Sequence, residues 1–333
     1  MRSAALAAIL VSLALPAMAQ DAFYKGKTID IIVGYTVDNS FDTYPRMLAK
    51  VLPRYIPGSP SIVVQNMPGA GSMRATNHLY NIAAKDGTVL GVIDQAMPLN
   101  QLLKRPGLQA DVFKFNWIGR FVDNSSILYA RGEAPVKKAE DLFTKELIAA
   151  TPGVSSRLNY LALNTVAHTK IKMLTGYDGS SSARLALERG EIDALTQPWP
   201  AVRAEFPTQI KEGKINLLLQ ADLHKHAELQ AVPRMVDLAK DEDGRKLLEL
   251  FSSSADVGRA LMAPPGIPPE RVALLRQAFM KAIADPDFKA EAAKAQLDLA
   301  PMSGEDLQAM IQGLSYPPAL LERARDIAAK AGN

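Results

Sequence analysis

Cysteine is absent from this chain of 333 residues, and only four histidines occur. Without thiols there is no disulfide framework, no cysteine nucleophile, no zinc–cysteine site and no iron–sulfur cluster. Disulfide staples are not needed at this length, because about three quarters of the unfolded surface is buried on folding. A dominant charge is missing too. The 38 Lys and Arg against 35 Asp and Glu leave +3, spread without a basic block. Phosphate neutralisation needs clustered Lys and Arg, so nucleic acid is not an expected partner. No segment repeats at a solenoid period, and none is low in complexity.

Long apolar runs are also missing, with one exception at the start. Arg2 is followed by an almost unbroken apolar stretch from Ala4 to Pro16, then Ala17-Met18-Ala19. A basic start, an apolar core and a small-residue exit form the order of a secretory signal. The run is well short of the roughly 20 residues of a membrane-spanning helix. The expectation is a cleaved signal over 1–19, a mature chain from Gln20, and export to the periplasm as a soluble protein.

Short β-branched runs alternate with amphipathic stretches. Thr28 to Val33 reads as a strand buried on both faces. A loop at 34–40 leads to a helix from about Phe41 to Tyr55, with Pro45 placed in its first turn, where proline is tolerated. Ser61 to Val64 and Thr88 to Ile93 read as further strands, with a helix between them after Gly69-Ala70-Gly71-Ser72. This spacing predicts crossover units in a mostly parallel sheet. Two short strands around 116–122 and 127–131 break the rhythm. A second α/β set then runs to about Leu250, with strands at Leu147 to Ala150 and Ile215 to Leu219. Ala255 to Met262 reads as one more strand, stopped by the proline-rich 264–269, after which helices continue to the end. The pattern implies two α/β lobes joined by two crossing strands: 20–122 with 253–333, and 123–252. Ligands of such sheets sit at the C-terminal ends of the strands.

Two loops join a strand end to a helix start and can present backbone N–H groups to an anion: 35–40 and 69–72. Glycines at 69 and 71 allow close backbone approach. Three or four charge-assisted hydrogen bonds of about 1.5–3 kcal/mol each would reach the roughly −8 kcal/mol of micromolar binding after ordering costs. Ordinary turns remain the alternative reading of both loops.

Several segments, in order, resemble one family. Phe23-Tyr24-Lys25-Gly26-Lys27-Thr28-Ile29 and Val63-Val64-Gln65-Asn66-Met67-Pro68-Gly69-Ala70-Gly71-Ser72 are similar to motifs of the tripartite tricarboxylate transporter substrate-binding family, the TctC or Bug type. Lys85-Asp86-Gly87-Thr88, Tyr177-Asp178-Gly179-Ser180, Glu188 to Asp193 and Ala263 to Pro268 follow the same pattern. Each is weak alone; together they span the mature chain. The resemblance implies a two-lobed periplasmic binding-protein fold of type II that closes over a small carboxylate and passes it to inner-membrane transporter components. A monomer is expected, and, with no convincing nucleophile–base pair or metal cluster in the sequence, no enzyme activity and no cofactor or metal. Carried onto this sequence, the ligand-binding residues are Tyr35, Ser40 and Asp42 of the first loop, and Gly69, Ala70, Gly71 and Ser72 of the second. Ser155, Ser156, Tyr177 and Ser180 come from the second lobe. Asp38 and Asn39, standing where the family has Gly-Gly, and Gln95 complete the candidate set. Asp38 adds a negative charge beside a proposed anion site, so it points to solvent, pairs with a cation such as Arg74, or marks a ligand that is not a simple dianion.

Other chemistries have poor signals. Gly69-x-Gly71 lacks the third glycine of a dinucleotide fingerprint, Arg74 standing in its place. His224 and His226 lie in a polar, solvated stretch, and Gly153 to Arg157 lacks the spacing of a nucleophile elbow. A receptor for a sensor kinase, and an exported hydrolase, are the alternative functions.

Overall fold

The computed structural model describes residues 23–37, 39–151, 154–177 and 180–330; the expected signal segment and Asp38 lie outside them. The first half of the chain runs β1 (Thr28–Val33), α1 (Ser40–Val51), β2 (Ser61–Asn66), α2 (Met73–Asn81), β3 (Val89–Val92) and α3 (Met97–Leu102). It continues with β4 (Asn116–Val122), β5 (Ser126–Arg131), β6 (Leu147–Ala150), α4 (Val154–Ala162), β7 (Ile171–Leu174) and α5 (Ser180–Glu188). Then come β8 (Ala194–Pro198), α6 (Trp199–Glu205), α7 (Pro207–Lys211), β9 (Ile215–Gln220), α8 (Glu242–Ser252) and α9 (Ser254–Val257). The chain ends with β10 (Arg259–Ala263), α10 (Pro269–Ala284), α11 (Pro286–Lys294), β11 (Met302–Ser303), α12 (Gly304–Gln312) and α13 (Pro318–Ala329).

Two sheets result, in the orders β11-β4-β10-β3-β1-β2 and β7-β6-β8-β5-β9. Only β2-β1-β3 and β7-β6-β8 are parallel. The sheets are therefore mixed rather than mostly parallel, and the reason is the crossings. β5 leaves the first sheet's β4 and enters the second sheet antiparallel to β8 and β9; β10 returns and enters the first antiparallel to β3 and β4. Each crossing strand thus starts where the parallel strands of its sheet end. That places residues 34–37 and 39, the loops 67–72 and 93–96, the crossing 123–125 and the start of β10 at one end of the first sheet. The described residues that follow β6, β7, β8 and β9 lie at the corresponding end of the second.

The two crossings touch. The Asn124 amide donates to the Ala255 carbonyl at 2.9 Å. Gly258 has φ +57°, and a Cβ there would stand 2.0 Å from the Val122 carbonyl oxygen, so only glycine lets the returning strand pass this close.

Three local expectations change. The segment 254–257 is a helical turn, and the strand begins only at Arg259; a short buried apolar run does not distinguish the two by its pattern. Helix α1 starts at Ser40 behind an Asn39 N-cap, so Pro45 is inside the helix rather than in its first turn, and the helix loses the N–H bond to the carbonyl four residues back. The last helix departs from the expected grouping of 253–333 with the first lobe. Leu320, Ala324 and Ile327 of α13 bury among Leu158, Leu161, Leu247 and Phe251, and Arg325 donates to the Leu102 carbonyl at 3.0 Å. Its apolar stripe needed a partner face, and α4 with α8 supplies one.

Candidate functional site

The described polar side chains of the first loop, Tyr35, Asn39 and Asp42, are already bonded within the protein. Asn39 accepts from the Phe41 amide at 2.9 Å, capping α1, and its Nδ2 donates to the Thr36 carbonyl. The Tyr35 ring stacks on Phe41 at 4.5 Å between centroids, and its hydroxyl donates to the Asp94 carboxylate. Burial, then the Asp94 charge, push the Tyr35 phenol far above its ordinary range. Asp42 is buried, 3 % exposed. It accepts from Arg46 Nε at 2.7 Å and from Asn66 Nδ2 at 2.7 Å, fastening α1 to the end of β2. Of the carboxylates proposed as ligand contacts, this one belongs to the scaffold.

The second loop has the opposite character. Gly69, Ala70, Gly71 and Ser72 follow one another with φ of 140°, 49°, 60° and 73°. Left-handed backbone at Ala70 and Ser72 is strained for side-chain-bearing residues. Gly69 to Gly71 are exposed, whereas Ser72 is buried. The Ser72 hydroxyl accepts from the Asp94 amide at 3.1 Å and its carbonyl from Thr76 Oγ1 at 2.9 Å. A Cβ on Gly71 would meet nothing within 4 Å, so that backbone faces open space.

Beside the first loop stands a residue that no motif in the sequence singles out. Arg259 opens β10 and is 8 % exposed. Its Nε donates to Ser40 Oγ at 2.8 Å, its Nη1 to the Gln95 side-chain oxygen, and its guanidinium lies 3.9 Å over the Phe41 ring. Burial draws its pKa down from the ordinary value, but a guanidinium stays protonated in a protein. Gln95 and Ser40, both in the candidate set, therefore meet on this side chain. Its signal in the sequence was a lone cation heading the otherwise apolar Arg259-Ala-Leu-Met-Ala.

A cavity of about 530 Å³ opens beside it. The first-sheet side contributes Ser40, Tyr44, Arg259 and the loop 295–300; the crossing contributes 122–125; the second-sheet side contributes Pro198, Pro200, Ala201, Arg203, Ala204, His226 and Glu228. That volume is ordinary for a small-molecule site. Arg203 spans it, donating to Glu228 at 2.6 Å and to Asp298 at 3.0 Å, while the Tyr44 hydroxyl donates to the Asp298 carbonyl. Of the candidate residues, Ser40 lines this cavity. Ser155 and Ser156 lie in the first turn of α4, after β6, and Tyr177 follows β7, with Ser156 buried and Tyr177 packed against the core cluster of the second sheet; Ser180 begins α5. No cluster of three His, Asp or Glu side chains fit to hold a metal occurs among the described residues, and none of their helices is long and apolar enough to cross a membrane.

Two mixed sheets, crossing strands inserted antiparallel into each, and a cavity walled by both define a two-domain solute-binding protein. The chain matches the tripartite tricarboxylate transporter family receptor over residues 46–319 and belongs to that family. Among solved structures it is similar to a TctC solute-binding protein from Polaromonas, with TM-score 0.69, 20 % identity, 92 % of this chain and 99 % of the other covered. The malate-bound MatC of Rhodopseudomonas palustris gives TM-score 0.62 at 21 % identity, covering 91 % and 99 %. An adipate-bound protein of R. palustris gives 0.62 at 18 %, covering 92 % and 97 %. The protein is a periplasmic-type solute-binding receptor, and its family and fold neighbours are binding proteins for transport rather than enzymes.

Proposed function

We propose that this receptor captures a small carboxylate between its lobes, closes over it, and presents the closed form to the inner-membrane components of a tripartite tricarboxylate transport system. The observation that carries the reading is the interlobe cavity, whose walls come from both sheets and from the crossing that joins them. Closure brings those walls together around a solute, so the closed form binds better and the solute shifts the population toward it. Malate and adipate in two neighbours support a carboxylate. The hinge in this reading is 123–125 with Gly258. The first lobe is the six-stranded sheet; the second is the five-stranded sheet with α13 on it. Export through a signal over 1–19 places the receptor in the periplasm.

The test is a thermal-shift panel of mono-, di- and tricarboxylates, amino acids, aromatic acids, neutral sugars and simple cations. A carboxylate raises the melting temperature in a concentration-dependent way and shrinks the radius of gyration in solution scattering. Shifts confined to sugars or cations would sink the reading.

A further inference from the structure

One pole of the interlobe cavity carries a charge that the described protein groups leave without a counter-ion. Arg259 is more than nine-tenths buried, and its two hydrogen-bond acceptors, Ser40 and Gln95, are neutral. Nη2 has no acceptor among the described residues, and the side chain lines the cavity. Asp94, the acidic group acting on it, is already occupied by the Tyr35 hydroxyl and, at 2.7 Å, by the Ala96 amide. Helix α1, twelve residues long, starts at Ser40 and points the positive end of its dipole to the same place. A buried cation without an ionic partner is costly to keep.

We propose that Arg259 is the carboxylate seat of the solute site: its open guanidinium edge, beside Ser40 and the amino end of α1, takes one carboxylate of the solute. The inference rests on the receptor reading above and adds the polarity of the ligand. Glu228 and Asp298 share the single cation Arg203, and Asp123 also lines the wall without a cation at ion-pair distance among the described residues. Two arginines thus face three carboxylates, and His226 adds a positive charge only when protonated. A second carboxylate on the solute would meet an acidic excess. The solute is therefore a monocarboxylate whose other end is neutral or, better, cationic.

Calorimetric titration at pH 8 with three four-carbon probes tests this: 4-aminobutyrate, butyrate and succinate, followed by the tightest carboxylate of the wider panel. The expected order is 4-aminobutyrate, then butyrate, then succinate. Arg259→Gln weakens the tightest acid about 10- to 100-fold, the span of a charge-assisted hydrogen bond, and Arg259→Lys weakens it less. Should Arg259→Gln not fold, Arg259→Lys and Ser40→Ala decide, each expected severalfold weaker. Unchanged affinity in the folded variants overturns the seat while leaving the receptor reading intact. Succinate binding tightest overturns the polarity. A wild-type protein that binds no carboxylate of the panel overturns the receptor reading, and the seat with it.

Discussion

The two arginines of the interlobe cavity are treated in opposite ways. Arg203, on the second-sheet side, has a side chain 39 % exposed and stands between two carboxylates, one on each side of the gap. Arg259, on the first-sheet side, is 8 % exposed and has neutral partners. A half-exposed pair in water is cheap to break and remake, which would suit a contact that the proposed closure makes and breaks. A buried guanidinium without a counter-ion is expensive, and it cannot shed its proton to escape. The first side of the cavity is a fixed, charged floor; the second is a loosely latched wall.

Asp222, at the crossing, is the counter-example that sharpens this. It too is buried, 5 % exposed, and has no cation at ion-pair distance among the described residues. The Ser125 hydroxyl and the Ser126 amide donate to it. A carboxyl can neutralise itself, and burial, helped by Asp123 and Asp256, pushes its pKa up to about 7. The acid escapes its cost by binding a proton; the arginine needs an anion brought to it.

The largest expected effect breaks the fixed side at its root. Gly258→Val puts a side chain onto the Val122 carbonyl at a left-handed φ, where nothing flexible can yield. We expect a loss of about 3 kcal/mol or more in denaturant unfolding. A loss under about 0.5 kcal/mol would mean the two crossings do not touch as described.

Next in size is Asp222→Asn. The folded protein holds a proton on Asp222 between about pH 4 and pH 7 that the unfolded chain releases, so this group's contribution to stability falls as pH rises through that window and is spent above it. Asparagine cannot ionise, so the variant is the more stable form at pH 8, by about 1–3 kcal/mol, with little difference at pH 4. Equal pH profiles for the two proteins would show that Asp222 ionises freely.

How far the sequence foretold this arrangement depended on the range of the interactions. Thr28 to Val33 was legible because a β-branched run declares a buried strand locally, and Ile215 to Leu219 as a short apolar run. The loops at 35–42 and 69–72 were legible as turn chemistry attached to motif. The Ser40–Arg259 contact was not, since it joins residues 219 apart through an antiparallel insertion that no local pattern encodes. Gln95 was a candidate without a stated partner, and Arg259 supplied it. The helix at 318–329 showed an apolar stripe but not which lobe the stripe would cover. Asp42 was drawn to the ligand by motif, whereas Asn66, twenty-four residues on, claims it.

The smallest effect tests the loose side. Asp298 and Arg203 are 37 % and 39 % exposed and meet at 3.0 Å, so their coupling in a double-mutant cycle of Arg203→Ala and Asp298→Ala should be about 0.3–1 kcal/mol. It should shrink further in 0.5 M salt, because exposed charges are screened within a few ångströms there. The pair nevertheless joins a helix on one side of the cavity to a loop on the other. Removing it should widen the unliganded protein in solution scattering while leaving unfolding almost unmoved. A coupling of several kcal/mol, insensitive to salt, would make Arg203 a buried structural bridge, and the contrast with Arg259 would fail.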